Sequence, residues 1–254
     1  MNDRDLPPTG DPFRFTTIAH AGRAILGPLD DADLDRIVAD LPAGPQALDI
    51  GCGKGELLVR LALRGARGAG VDHNPWYLAA ARARAAAAGV DGRIHWHTVD
   101  ARTDPPAGPV DLVACIGASD AVGGPPRAPD ALAGMVRPGG TIVLGELFWS
   151  VVPDAALVTG FGIHPGDIVT EAETLDRMTA AGLEVVAVHA ASSAAWERYE
   201  AEYAAAVTAW AEAHPHDPDH DPFLHRAAIM RGSWDVWRRA SMGFLTVVLR
   251  RPSS

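Results

Sequence analysis

The residues in this sequence with the clearest chemical meaning are Asp49, the glycines Gly51, Gly53 and Gly55, and two further acids, Asp72 and Asp100. Asp49 stands two places before the first glycine of an Asp-x-Gly-x-Gly-x-Gly pattern. Alternate glycines let a chain turn sharply and approach a ligand where any Cβ would obstruct it. A carboxylate beside such a turn repels a pyrophosphate and suits a cationic ligand with an amino-acid end. The phosphate-binding motifs fail on spacing. Glu56 stands where a dinucleotide fingerprint needs its third glycine, and Lys54 is followed by Gly55 rather than the Ser or Thr of a P-loop. Asp72 ends the next apolar run, where an acid can accept both hydrogen bonds of a ribose diol. That indicates a nucleoside without saying which one.

The elements that must position these residues are legible in the apolar periodicity. Ala47, Leu48 and Ile50 form the short run of a central strand covered on both faces. Leu57, Leu58 and Leu61 then recur at helical spacing, so the glycine turn feeds a helix N-terminus. A second strand runs from Ala66 to Asp72, and Pro75 opens an alanine-rich helix closed by Gly89. Arg93 to Val99 gives a third strand, ending at Asp100-Ala101, and Val110 to Ile116 a fourth. A short helix over Asp130 to Val136 precedes an Arg137-Pro138-Gly139-Gly140 turn and a fifth strand, Thr141 to Trp149, with Glu146 near its end. Thr170-Glu171-Ala172-Glu173 is a capping box for a helix ending at Gly182, and Leu183 to His189 and Gly243 to Leu249 are the last two strands.

Two regions stand outside that alternation. Residues 1–12 read as frayed, Phe13 to Gly27 as a short packed helix containing His20, and Asp30 to Leu41 as an amphipathic helix. Between the last two strands, Ala194 to Ala213 carries Trp196, Tyr199, Tyr203, Val207 and Trp210 on one helical face. A Pro/His/Asp stretch, His214 to Pro222, reads as a solvated loop before a second helical segment with Trp234 and Trp237.

The glycine motif with Asp49, the acids Asp72 and Asp100, and the Arg-Pro-Gly-Gly turn follow one another in an order that resembles class I S-adenosylmethionine-dependent methyltransferases. The resemblance covers about Leu48 to Leu249. It implies an α/β fold, Rossmann-like, with a seven-stranded, mostly parallel sheet whose last strand is antiparallel, helices on both faces, and a helical cap. It also implies S-adenosyl-L-methionine as cofactor and S-adenosyl-L-homocysteine as product. Carried onto this sequence, the cofactor set is Asp49, Gly51, Cys52, Gly53, Gly55, Asp72, His73, Asp100, Ala101 and Ile116. In the resemblance Asp100 accepts from the adenine amino group, and a neighbouring backbone N–H meets a ring nitrogen. The implied division is an N-terminal helical cap over 1–45, the cofactor-binding core over 46–193, a helical insertion or lid over 194–240, and the last core strand over 241–254. More narrowly, Ile116 to Gly124, Gly145 to Trp149 and Trp196 to Glu200 look like a poorly characterised bacterial group of small-molecule-type methyltransferases.

The implied activity is methyl transfer to a small-molecule N, O or S nucleophile. Other sulfonium chemistry, or methylation of protein or nucleic acid, is the alternative. In-line displacement at a methyl draws much of its rate from holding the nucleophile on axis, and a hydroxyl or ammonium acceptor also needs a base. His20, Glu146, His164 and Tyr199 are candidates, with Glu146 and His20 preferred. Ser119, Trp149 and Tyr199 are the expected substrate contacts. No metal site is expected: His95 and His97 share one strand face without a third ligand, and the His/Asp loop lacks fixed spacing.

Composition sets outer bounds. Among 254 residues, 48% are hydrophobic and 21% charged, enough for a sizeable core. The net charge of −10 argues against constitutive nucleic-acid binding. Two cysteines, one in the glycine turn and one in a strand, suggest a reducing cytoplasm rather than a disulfide. No leader or membrane segment is read, and a monomer or homodimer with a small-molecule substrate is expected.

Overall fold

The computed structural model describes residues 6–104, 106, 108–164 and 166–253. Its centre is a seven-stranded sheet in the order β3-β2-β1-β4-β5-β7-β6. The strands are β1 Gln46–Ile50, β2 Arg67–Asp72, β3 Ile94–Thr98, β4 Val110–Ile116, β5 Val136–Trp149, β6 Glu184–Ala190 and β7 Met242–Arg250. Strands β1 to β4 pair in parallel, β5 joins β4 in parallel, and β7 runs antiparallel to both β5 and β6. The sheet reverses its strand order between β1 and β4, and in such sheets the crevice beyond the strand ends at that point is where ligands bind.

Both faces are packed. On one, α2 (Asp31–Ala39), α3 (Glu56–Leu63) and α4 (Pro75–Ala87) close a core holding Ile37, Leu58, Leu61 and Leu112. On the other, α5 (Ala128–Met135) and α7 (Glu171–Ala180) bury Leu132 and Met178 against Ile142, Leu144 and Leu249. The alternation along β5 sends Val143 to the first core and Ile142 and Leu144 to the second, as strand geometry requires. Helix α2 begins at an Asp30/Asp33 capping box, and α7 at the Thr170/Glu173 box read from the sequence.

The remaining helices lie at the strand ends. Helix α1 (Arg14–Ala19) packs on α8 (Ser193–Ala213) and α9 (His220–Ser233) through Phe15, Ile18, Val207 and Trp210. Helix α9 continues through a π-helical turn, Trp234–Arg238, and a last short turn, α10 (Arg239–Ser241), into β7. Between β5 and α7 lies α6 (Ala155–Gly160). No helix among the described residues is long and apolar enough to cross a membrane.

Two expectations need correction. Arg137-Pro138-Gly139-Gly140 is not a turn before the fifth strand. Val110 pairs with Val136 and Leu112 with Thr141, so the four residues bulge within a strand that starts at Val136. Gly139 has φ +77°, its N–H bonds Arg251 O at 2.8 Å, and Arg137 pairs with Asp111 at 2.8 Å, so both edges of the bulge are tied. The His214–Pro222 stretch is exposed for the most part, but it is anchored as well, and its last three residues belong to α9. Arg14, 6% exposed, holds Asp217 through Nη1 at 2.8 Å and Nη2 at 2.6 Å, and also pairs with Asp219. A buried guanidinium needs such partners, and α1 brings one to the loop. Of the segment read as frayed, residues 1–5 lie outside the described residues, while Leu6 packs with the α1–α8 cluster.

Candidate active site

The glycine turn joins β1 to α3. Gly51, Gly53 and Gly55 have φ of +68°, +53° and +74°, a region that other residues rarely enter. The space beside each is filled by the protein itself. A Cβ on Gly51 would lie 2.2 Å from Ala118 Cβ, one on Gly53 2.6 Å from Leu26 Cδ1, and one on Gly55 2.3 Å from Trp96 Cη2. The N–H groups of Gly51 and Cys52 both bond Val71 O, at 2.8 and 3.0 Å, which locks the turn to the end of β2. Gly55 is the N-cap of α3 and faces Trp96 rather than the crevice, so its role is conformational.

Two cavities meet over this turn and share Leu26, Gly51, Gly53, Ile116, Gly117 and Asp120 as a common wall. The smaller, about 410 Å³, is lined by Asp72, His73, Asp100 and Ala101. The Asp72 carboxylate accepts from Gly53 N–H and from Asn74 N–H, each at 2.8 Å, leaving lone pairs toward the cavity. Asn74 in turn caps α4 through Trp76 N–H, so one short loop fixes both the acid and the helix. His73 is exposed beside Phe13, with ring centroids 5.0 Å apart. Asp100 is gripped by Arg102 through Nη2 at 2.6 Å and Nε at 3.0 and 3.1 Å, a hydrogen-bonded fork that lowers its carboxyl to about 2.

The larger cavity, about 480 Å³, runs from Asp49 and Cys52 toward Ser119, Glu146, Trp196, Tyr199 and Arg238. Burial, reinforced by the charge of Asp72, pushes the Asp49 carboxyl up to about 8. Glu146 is 7% exposed. Ser119 Oγ donates to its Oε2 at 3.2 Å, and Oε1 has no partner. Burial raises its carboxyl to about 7, against the pull of the Ser119 hydrogen bond. On the far wall Arg238 is paired with buried Glu200 at 2.8 Å and is set in the π-helical turn, a distortion that often marks functional positions.

Above the turn lies a hydrogen-bonded roof. Lys54 Nζ donates to His20 O at 2.6 Å, Arg23 O at 2.8 Å and Ala21 O at 3.5 Å, clamping the segment after α1 to the glycine turn. Leu26, on that clamped segment, is a wall of both cavities. His20 Nδ1 meets Thr16 O at 2.9 Å; a carbonyl only accepts, so Nδ1 carries the hydrogen and Nε2 receives the Tyr199 hydroxyl at 3.2 Å. Burial, aided by the charges of Lys54 and Arg23, holds the imidazole neutral, down to about 4.

The structure therefore gathers most of the residues singled out from sequence. His20 faces the smaller cavity, and Glu146, Ser119 and Tyr199 the larger; Ile116 serves both. Trp149 is set apart from both. It packs on Trp237 and Met242, with ring centroids of the two tryptophans 6.1 Å apart, because its position at the β5 end points it under α6. His164 is exposed on the loop beyond α6 and is not among the cavity residues.

A methyltransferase-domain family model matches residues 47–140. The chain is 31% identical over 210 residues to uncharacterized protein YjhP of Escherichia coli (strain K12), covering 80% of this chain and 84% of that one. An S-adenosylmethionine-dependent methyltransferase from Geobacter sulfurreducens, solved in complex with S-adenosyl-L-homocysteine, superposes with a TM-score of 0.86. It is 28% identical and covers 96% of this chain and 98% of its own. The chain belongs to the class I S-adenosylmethionine-dependent methyltransferases. The ubiquinone biosynthesis O-methyltransferase of Sodalis glossinidius is 35% identical over 104 residues, but that match spans only 41% of this methyltransferase and 42% of the relative.

The methyltransferase's own residues fit the cofactor. A buried Asp49 with a raised pKa lacks a compensating cation, which an ammonium or sulfonium supplies. Asp72 retains acceptor capacity for a diol, while Asp100 and Ala101 line the same cavity. Among the described residues no three His, Cys, Asp or Glu converge as metal ligands, and His95 and His97 are exposed. Sequence reasoning missed Lys54, Leu26, Asn74 and the Glu200–Arg238 pair. Lys54 offered a signal in being the only lysine of the chain, placed inside the glycine motif.

Proposed function

We propose that this methyltransferase acts on a small-molecule acceptor held in the larger cavity, with residues 6–45 and 194–240 forming a roof over the core. The observation carrying this reading is the pair of adjoining cavities that share the glycine turn. One is lined by the nucleoside acids, and the other by a buried, half-satisfied glutamate and aromatic side chains. S-Adenosylmethionine supplies an electrophilic methyl group on a sulfonium. Asp72 binds the ribose hydroxyls, Asp100 and the Ala101 backbone the adenine edge, and Asp49 the cationic amino-acid end. Asp100 already holds Arg102, so an adenine amino group would donate to a carboxylate that this guanidinium keeps oriented. Glu146 takes the acceptor's proton. The neutral His20 fixes the Tyr199 hydroxyl at the seam between the cavities.

Glu146 can exchange a proton near neutral pH because burial has brought it there. A water-poor, partly aromatic pocket further helps a displacement in which charge is dispersed. The test is a calorimetric titration with S-adenosylhomocysteine, with NAD and an Asp72→Ala variant as controls. Asp72→Ala removes two charge-assisted acceptors for the diol, so affinity is expected to fall about 100-fold. No NAD heat is expected. Equal binding by wild type and variant would refute the ribose assignment. No binding of S-adenosylhomocysteine by folded wild type would refute the cofactor site.

A further inference from the structure

We propose that the methyl acceptor is an amine that enters as an ammonium ion and pairs with Glu146. This inference rests on the reading of the larger cavity as the acceptor site. Glu146 is 7% exposed, yet only its Oε2 is engaged, by Ser119 Oγ at 3.2 Å. Oε1 is buried without a hydrogen-bond partner. An unmade charge-assisted bond at such a position is costly, and a ligand donor relieves it.

The surrounding charges select the ligand. Asp120, just past β4, and Asp167, on the loop beyond α6, line the same cavity as Glu146. Arg238 faces them, but its charge is answered by Glu200 at 2.8 Å. Arg177 of α7 stands behind Glu146 and gives a hydrogen bond to Gly166 O at 2.6 Å. Asp49, Glu56 and Lys54 line the cavity too, and Glu56 is answered by Arg60. With Arg238 held by Glu200, the acids Asp49, Asp120, Glu146 and Asp167 outnumber Lys54 and Arg177 and leave the cavity acidic, which disfavours a carboxylate or phosphate acceptor. An alcohol would satisfy Oε1 but leave that charge unanswered. An ammonium ion does both. Trp196, Tyr199 and Phe244 in the same wall suit a cation as well as apolar carbon.

The chemistry balances with groups already named. Glu146 Oε1 takes one proton from the ammonium, giving a carboxylic acid and a neutral amine. The nitrogen lone pair then forms the C–N bond as the C–S pair passes to sulfur. The products are a methylammonium ion and S-adenosylhomocysteine, and Glu146 returns its proton to water when the cavity opens. Burial sets the empty carboxyl at about 7, so the proton can be held and later released near neutrality.

The experiment uses matched acceptors carrying an amine, alcohol, thiol or carboxylate on phenylethyl, indolylethyl and linear alkyl frames. Binding to the wild type loaded with S-adenosylhomocysteine is read by calorimetry, and transfer from methyl-labelled S-adenosylmethionine is read by label on the acceptor. Amines are expected to bind and be methylated in preference to the other members of their frame. Glu146→Gln, which keeps size and the Ser119 acceptor, is expected to weaken amine binding about 30-fold at unchanged S-adenosylhomocysteine affinity. Preference for an alcohol, thiol or carboxylate overturns the amine assignment while leaving the proposed activity intact. So does undiminished amine binding by Glu146→Gln. Loss of S-adenosylhomocysteine affinity in that variant assigns Glu146 to the cofactor and overturns the inference. Amines bound but never methylated overturn the proposed activity alone, and a panel neither bound nor methylated overturns both.

Discussion

Replacing Glu146 by Gln should make the cofactor-free protein progressively more stable, relative to wild type, as pH rises. The carboxyl is buried and its pKa is raised from 4.5 to about 7, chiefly by desolvation. A carboxyl raised on folding binds more protons in the folded than the unfolded state between those values. Stability is therefore lost as pH climbs from 4.5 through 7. A shift of this size corresponds to about 3 kcal/mol once both states are ionised, of which about 2.5 kcal/mol falls between pH 5 and pH 8. Glutamine does not titrate. Its amide leaves an unpaired donor in the cavity, which shifts the variant's stability by a constant without altering the slope. Asp49 and His20, whose shifts have other causes, are common to both proteins and cancel in the difference. Urea unfolding of wild type and Glu146→Gln at intervals from pH 5 to pH 8, without cofactor, gives the comparison. The midpoint temperatures should separate by about 5–10 °C over the same range. A stability difference that stays flat across those pH values would refute the view of Glu146 as a buried acid held away from its preferred state.

Two further substitutions test the turn and its clamp. Gly51→Ala forces a side chain into φ +68° and sets its methyl 2.2 Å from Ala118 Cβ, so a loss of roughly 2–4 kcal/mol in urea unfolding is expected. A variant as stable as wild type would show that the turn relaxes freely. Lys54→Met keeps the apolar stem but removes the donors to His20 O, Ala21 O and Arg23 O, for a loss of about 1–3 kcal/mol. Proteolysis within residues 14–30 should accelerate and S-adenosylhomocysteine should bind more weakly; unchanged cleavage and affinity would rule out the clamp.

The core was legible in sequence where one pattern answered one physical demand. Ala47, Leu48 and Ile50 are buried because a central parallel strand is covered on both faces, and the same run is apolar for that reason. The fourth and fifth strands gave equally plain runs, but the bulge at Arg137 to Gly140 did not. Pro and Gly write the same letters for a turn as for an irregular strand, and only pairing across to Val110 and Leu112 separates them. Around the crevice, Asp49, Asp72 and Glu146 could be singled out because acids near strand ends are conspicuous. Trp149 was misjudged because β5 carries it past the crevice to Trp237 and Met242. Lys54, Arg14 and the Glu200–Arg238 pair act across long sequence separations, joining segments whose proximity no local spacing reveals.

Lys54 is the only lysine among the 254 residues, and it is 7% exposed. Every other permanent side-chain cation is an arginine, so the outer surface of these residues presents no side-chain primary amine. Reagents that acylate or reductively alkylate amines thus meet a single lysine, and that lysine is stoppered by carbonyl oxygens. Its rate of modification is expected to report how often the His20–Arg23 segment lifts from the glycine turn. Coupling this protein to a dye or resin through lysine would attach it at the glycine turn between β1 and α3.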